Sequence, residues 1–415
     1  MSQTYKIPWR AWYGDTDLEL KFPDSWQVNK FNIVKTEPIN DIEVIRKRIQ
    51  NPVGTPRLSK ISSNKNNAVI VVDDISRPTK GEKIIKVILS ILNQSGISDE
   101  NITLIFAIGA HRPMNRIDYL KKVGYEIVER INIENHHPYE NLVDLGKSSL
   151  GTPIFLNKTY YQADIKIALS SVLPHPLAGF GGGAKIILPG ICGIDTLEAN
   201  HQAGVRGIGI GWGIITDLRR DIEEVCKKAG LDFSINTVCN MKRDTAGIFA
   251  GHYIDAHRKA VQCAKIIYST KVPPKLKSDI CFLNLYPEDT ELTQATKALS
   301  IILSTTKLVK RGGSIIFLTA STEGRGYHSL LAETGSRLYE NWGNTILWKA
   351  AIRKNNFGIY SPNLNEKDIF HFYPKETIFN RDFNEMLEYL ERIHGKSPHA
   401  SLFPCSMHLT NQSMT

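Results

Sequence analysis

At 415 residues the chain exceeds what one hydrophobic core usually organises, so two domains are expected, each able to bury an interior without disulfide or metal staples. Hydrophobic residues at 42% and charged residues at 22% exclude a disordered or fibrous chain. The formal charge of +9 is spread thinly: its densest runs, Arg46-Lys47-Arg48 and Arg219-Arg220, lack interleaved aromatics and read as solvated faces, which disfavours nucleic acid as a partner.

The N-terminal segment MSQTYKIPWRAW has no apolar signal core, and no stretch has the length and apolarity of a membrane helix, so a cytoplasmic protein is expected. The six cysteines show no Cys-x-x-Cys pair or other zinc spacing and read as reduced, mostly buried thiols. Residues 1–40 mix aromatic and β-branched residues with turns, the pattern of short strands ahead of a main sheet. A short apolar run at Ala68 to Val72, helical spacing from Lys83 to Leu92 and a second apolar run at Ile102 to Ile108 together make a βαβ unit with parallel strands.

A third buried-strand pattern, Ile165 to Leu169, leads into a proline- and glycine-rich loop and then a helical stretch around Leu197. Near Lys271 the composition turns basic and proline-bearing, and a fresh alternation begins: a strand at Ile280 to Leu285, a helix from Leu292 to Val309, a Gly312-Gly313 turn and a strand at Ser314 to Leu318. Phe379 to Ile393 reads as a late amphipathic helix. The expected division is therefore 1–270 and 271–415.

In open α/β sheets ligands collect beyond the carboxyl ends of parallel strands, where three polar clusters fall in sequence: Asp73 to Pro78, Gly109 to Asn115 and Pro174 to Lys185. In the first, Asp or Ser would cap the next helix while Arg77 could grip a phosphate or carboxylate. In the third, PHPLAGFGGGAK, four glycines permit close backbone approach to a ligand framed by His175 and Lys185. Ala184 and Ile186 flank Lys185 where a Walker loop needs Gly and Ser or Thr, and the glycines are too bunched for a dinucleotide fingerprint. By residue type alone, a tight turn with a solvated Lys185 stays open beside the ligand-binding reading.

His111 and His175 each follow an expected strand, so two imidazoles able to exchange protons near neutral pH could face one crevice, although either histidine alone would suit a structural role. His201 has no His or Cys at short metal-ligand spacing, so any metal there needs its other ligands from elsewhere. Gln294 and Lys297, three apart on an expected helix, pair an amide with an ammonium that together could hold a carboxylate; surface helix is the plainer alternative. The clusters at His136-His137-Pro138, Glu323 to His328 and Gly251-His252 with His257 match no motif by spacing.

Taken together, DDISRP, AIGAHRP, PHPLAGFGGGAKIILPGI, Asn200-His201 and QATK at Gln294 to Lys297 resemble, in type and order, the nickel-pincer lactate racemase family. The resemblance spans most of the chain. It implies two α/β domains with largely parallel, Rossmann-like sheets and an active-site cleft between them. It implies a cofactor, nickel pyridinium-3,5-bisthiocarboxylic acid mononucleotide, bonded covalently to Lys185, with His201 as a nickel ligand. Asp74, Ile75, Ser76 and Arg77 would line the cofactor and substrate pocket, and Gln294 and Lys297 would anchor the substrate carboxylate.

His111 and His175 would then act as two bases for a 2-hydroxy acid whose C2 hydrogen leaves and returns as hydride, avoiding a poorly stabilised carbanion. The partners implied are that small acid and the proteins that make the cofactor. The family member acting on lactate also uses a late tryptophan; Trp342 and Trp348, or Phe357 or Tyr360 in their place, are the candidates here. Two alternatives remain: a nickel-cofactor or small-anion binding protein without turnover, and an NAD-dependent 2-hydroxy acid dehydrogenase.

Overall fold

The strand Ala68–Asp73 is apolar until its last residue and is buried throughout, as a strand packed on both faces must be. In a computed structural model of the chain, which describes residues 2–204, 216–295, 302, 305–330, 348, 349, 352 and 354–411, this strand is central to a six-stranded sheet. Ile102–Ala107 and then Asn132–Asn135 lie on one side of it; Ile165–Ser171, Phe233–Cys239 and Thr245–Gly251 lie on the other. Every neighbouring pair is parallel except the last, which is antiparallel. The helix Glu82–Gln94 crosses from the first strand to the second and buries its apolar face through Ile84, Ile85, Ile88 and Leu92, so the expected βαβ unit is present.

The chain divides into two units, Thr36–Ile266 and Met1–Lys35 with Ile267–Thr415. The late boundary lies close to the expected one, but the first 35 residues belong with the C-terminal unit instead of the N-terminal one. Packing gives the reason. The antiparallel pair Ser2–Trp9 and Thr16–Pro23 contributes Ile7, Trp9, Leu20 and Phe22 to the same core cluster as Ile280, Phe282 and Leu402, and Gln27–Lys30 pairs in parallel with His399–Phe403.

The C-terminal unit's sheet is wholly parallel, in the order Ile378–Asn380, Asn356–Tyr360, Val309–Leu318, Ser278–Asn284, His399–Phe403, Gln27–Lys30. Alternation along Ser278–Asn284 sends Ile280 and Phe282 into one core cluster and Cys281 and Leu283 into the other. Two expected elements change here. Gly312 and Gly313 lie inside the strand Val309–Leu318, where its pairing register shifts against Ser278 and Ile280, so they form a bulge instead of a loop. The late helix begins only at Phe383, capped by Asp382, because Phe379 belongs to an edge strand.

The six cysteines are free thiols, five of them buried. No helix among the described residues is long and apolar enough to cross a membrane.

Candidate active site

The order of strands reverses at Ala68–Asp73: the chain leaves it for Ile102–Ala107 on one side and later returns to Ile165–Ser171 on the other. Such a switch point opens a crevice at the carboxyl ends of the strands, and the three polar clusters follow these three strands.

Asp73 closes the central strand. Its Oδ2 accepts from Thr79 Oγ1 at 2.6 Å and from the Ser171 amide at 3.0 Å, which ties the neighbouring strand end to the following loop. Its Oδ1 lies 2.7 Å from the buried Nζ of Lys122, which also donates to the carbonyls of Asp74 and Arg77. The capping role expected for Asp or Ser in this segment is corrected: helix Glu82–Gln94 starts after Gly81 with no side-chain cap, and both carboxylates are engaged within the strand-end loops.

Asp74 is buried, with Oδ1 accepting from Ser76 Oγ at 2.5 Å and Oδ2 lying 2.5 Å from Nδ1 of His111. Burial pushes its carboxyl up, but the charge and hydrogen bond of His111, with Arg77 and Ser76, outweigh burial and hold it well below the usual carboxylate range. An anionic Asp74 orients the imidazole through Nδ1, an arrangement that can support proton exchange at the other ring nitrogen. Ile75 is buried as packing between these polar groups, and Arg77 is half-buried with its amide bonded to the Asp74 carbonyl.

The glycine-rich segment is held from behind. His175 lies on a two-residue strand paired with Gly179–Phe180, and its Nδ1 accepts from the amides of Leu177 and Ala178. Arg219, expected as a solvated face, is buried and donates to the carbonyls of Ala178, Phe180 and Gly182. Asn236 accepts from the Gly183 amide at 2.7 Å, and His257 Nε2 donates to the Gly181 carbonyl at 2.8 Å. The other His257 nitrogen faces the Arg258 guanidinium at 2.9 Å, and burial with two nearby arginines keeps this imidazole neutral.

A side chain at Gly182 would meet Val172, and one at Gly183 would meet His257 and Tyr253, while both backbones are left-handed. Lys185 follows on a short 3-10 helix, Gly183–Ile186, and is half-buried. The Gly109 amide donates to the Gly190 carbonyl at 3.0 Å, which docks the loop carrying His111 onto the segment carrying Lys185.

His201 lies on the helix Ile194–Gly204 with Nδ1 donating to the Leu197 carbonyl at 2.7 Å, a bond that fixes the neutral tautomer with the proton on Nδ1. The helix is anchored one residue earlier: Asn200 donates to buried Asp221, which also accepts from Ser148 and Thr152. Among the described residues no group of three or more His, Cys, Asp or Glu could hold a metal.

Gln294 belongs to the C-terminal unit, and Lys297 lies outside the described residues. Instead of sitting on a surface helix, Gln294 is buried and donates to Glu291, which also accepts from Thr293 and the Tyr327 amide. The Glu323 to His328 cluster thus packs against the segment carrying Gln294. Trp342 lies outside the described residues; Trp348 and Phe357 are buried against Tyr373 in the core. Tyr360 packs on Trp9 and Phe383.

The loop supports Lys122, Arg219, Asp221 and Asn236 escape a reading by motif. One signal existed for Arg219: it shares a helical face with Ile222, Cys226 and Ala229, all buried.

A model of the lactate racemase N-terminal domain matches residues 13–211. A lactate racemase of Lactiplantibacillus plantarum is 29% identical over 303 residues, covering 70% of each chain. One from Thermoanaerobacterium thermosaccharolyticum is 27% identical over 333 residues, 76% of this chain and 74% of that one. The structure of the lactate racemase apoprotein from the latter organism superposes with a TM-score of 0.76 at 23% identity, covering 99% of this chain and all of that one, and so shares the fold. The matched residues contain every strand-end cluster described above and carry the lactate racemase N-terminal domain, and the chain is similar over 70% and 76% of its length to two lactate racemases, isomerases of the racemase class.

Proposed function

We propose that the protein inverts C2 of a 2-hydroxy acid by moving hydride and proton separately, with a nickel-pincer nucleotide attached at Lys185 and ligated by His201. The observation that carries this reading is the Asp74–His111 pair, on strand-end loops that the Gly109–Gly190 hydrogen bond joins to the segment carrying Lys185. The residues present suit such a group. The left-handed backbone at Gly182 and Gly183, packed against Val172 and His257, leads into the short helix that presents Lys185, and His201 has one nitrogen committed to its own helix.

When bound, that cofactor supplies a hydride acceptor and donor. His111 and His175 serve the substrate's hydroxyl group, with Asp74 holding His111 in position. Arg77 binds the substrate carboxylate, and Asp74, Ile75, Ser76 and Arg77 line the cofactor pocket. Lactate, the substrate named for the relatives, is the first acid to test.

Co-production with the cofactor-making proteins tests this reading by intact mass and nickel content. A nickel-bearing adduct lost in Lys185→Ala is expected. An unmodified wild-type chain, alongside a control enzyme that loads, overturns it.

A further inference from the structure

The hydrogen atoms around the two histidines are fixed by their neighbours. Ser76 Oγ spends its proton on Asp74 Oδ1 at 2.5 Å, so toward His111 Nδ1, 3.2 Å away, it can only accept; Asp74 Oδ2, on the same nitrogen, can only accept as well. Nδ1 of His111 must therefore carry a proton. At His175 the relation is inverted: Nδ1 faces the amides of Leu177 at 3.2 Å and Ala178 at 3.1 Å, and amides can only donate. The neutral ring of His175 must carry its proton on Nε2.

The turn that makes this assignment is itself immobilised. Thr216 donates to the Leu177 carbonyl at 3.0 Å, Arg219 donates to the carbonyls of Ala178 and Phe180, and the flanking residues pair as a short hairpin. Proton uptake at His175 Nδ1 would set an N–H against two others. Uptake at His111 Nε2 gives an imidazolium facing Asp74.

We propose that the two histidines rest as opposite tautomers and play unequal parts, His111 offering a lone pair to the substrate hydroxyl and His175 offering only an N–H. The catalytic consequence rests on the racemase reading above. In oxidation the hydroxyl proton would pass to His111 Nε2, and in reduction the same Nε2–H would return it to the oxygen, the nickel-pincer nucleotide supplying the acceptor and donor of the C2 hydride when bound. His175 Nε2–H holds an oxygen of the acid by a hydrogen bond and transfers nothing.

The test uses the full chain without cofactor, labelled with ¹⁵N-histidine, in long-range ¹H–¹⁵N correlation spectra at about pH 8, above the ordinary histidine range. His111→Gln and His175→Gln assign the two rings, and Ser76→Ala, which disturbs only the His111 side, gives a second route should a glutamine variant not fold. The expected result is an Nδ1–H ring for His111 and an Nε2–H ring for His175. Two rings of one tautomer, or an Nδ1–H ring at His175, would overturn the proposal. Neither cofactor nor substrate enters the measurement, so it stands or falls separately from cofactor loading and racemisation.

Discussion

Lys122 Nζ and Asp73 Oδ1 meet at 2.7 Å, with the lysine fully buried and reaching beneath the loop that bears Asp74. Burial pushes the ammonium down, and the Asp73 charge and hydrogen bond oppose that shift. Removing one partner leaves the other charge uncompensated, so Lys122→Met should lower stability by about 3–5 kcal/mol. Pairing it with Asp73→Asn should recover part of the loss. Denaturant melts of the three variants check this.

Asp74→Asn keeps the side chain's shape but presents an amide in place of the carboxylate that fixes His111. Turnover in the loaded enzyme should fall by about 10²–10⁴-fold, as for the orienting acid of other acid–base systems, while the Lys185 adduct stays on the chain. Enantiomer interconversion measured beside intact mass separates the two effects.

Arg219→Met withdraws the donors that hold the carbonyls of Ala178, Phe180 and Gly182. The glycine cradle then loses its backing, and cofactor loading should drop at least as much as stability does. Mass spectrometry and thermal melts of the same preparation compare the two. Arg219→Lys, with one compact charge and no planar fork, should rescue only part.

Burial pushes His136 down to about 4, against the favourable hydrogen bond of its Nε2 to the Cys192 carbonyl. The folded state therefore binds its proton later than the unfolded chain, whose histidine titrates at about 6.5. Between those values the unfolded chain holds more protons, so stability declines as pH falls through this window, by about 3 kcal/mol from this residue. Equilibrium unfolding at several pH values should show the decline, and His136→Gln should flatten it.

The sequence makes the central strands legible because apolar runs such as Ala68 to Val72 have little other use, and the glycine cluster is legible because so many glycines together imply close approach. What stayed hidden depends on partners distant along the chain. Arg219 looks like half of a surface Arg-Arg pair until Phe180 and Gly182 turn their carbonyls toward it. The first 35 residues read as a prelude to the nearest sheet, yet Gln27–Lys30 pairs with His399–Phe403 at the other end of the chain. Gln294 shows helical spacing, but its burial follows from Glu291 and the loop at Tyr327.

The most direct measurement is inversion of a 2-hydroxy acid by the loaded enzyme in D₂O, with the C2 position of the product read by NMR or mass spectrometry. Hydride transfer predicts that the product keeps the substrate's own hydrogen at C2. Deuterium at C2 accumulating in step with inversion would mean proton abstraction from carbon, and would contradict the mechanism.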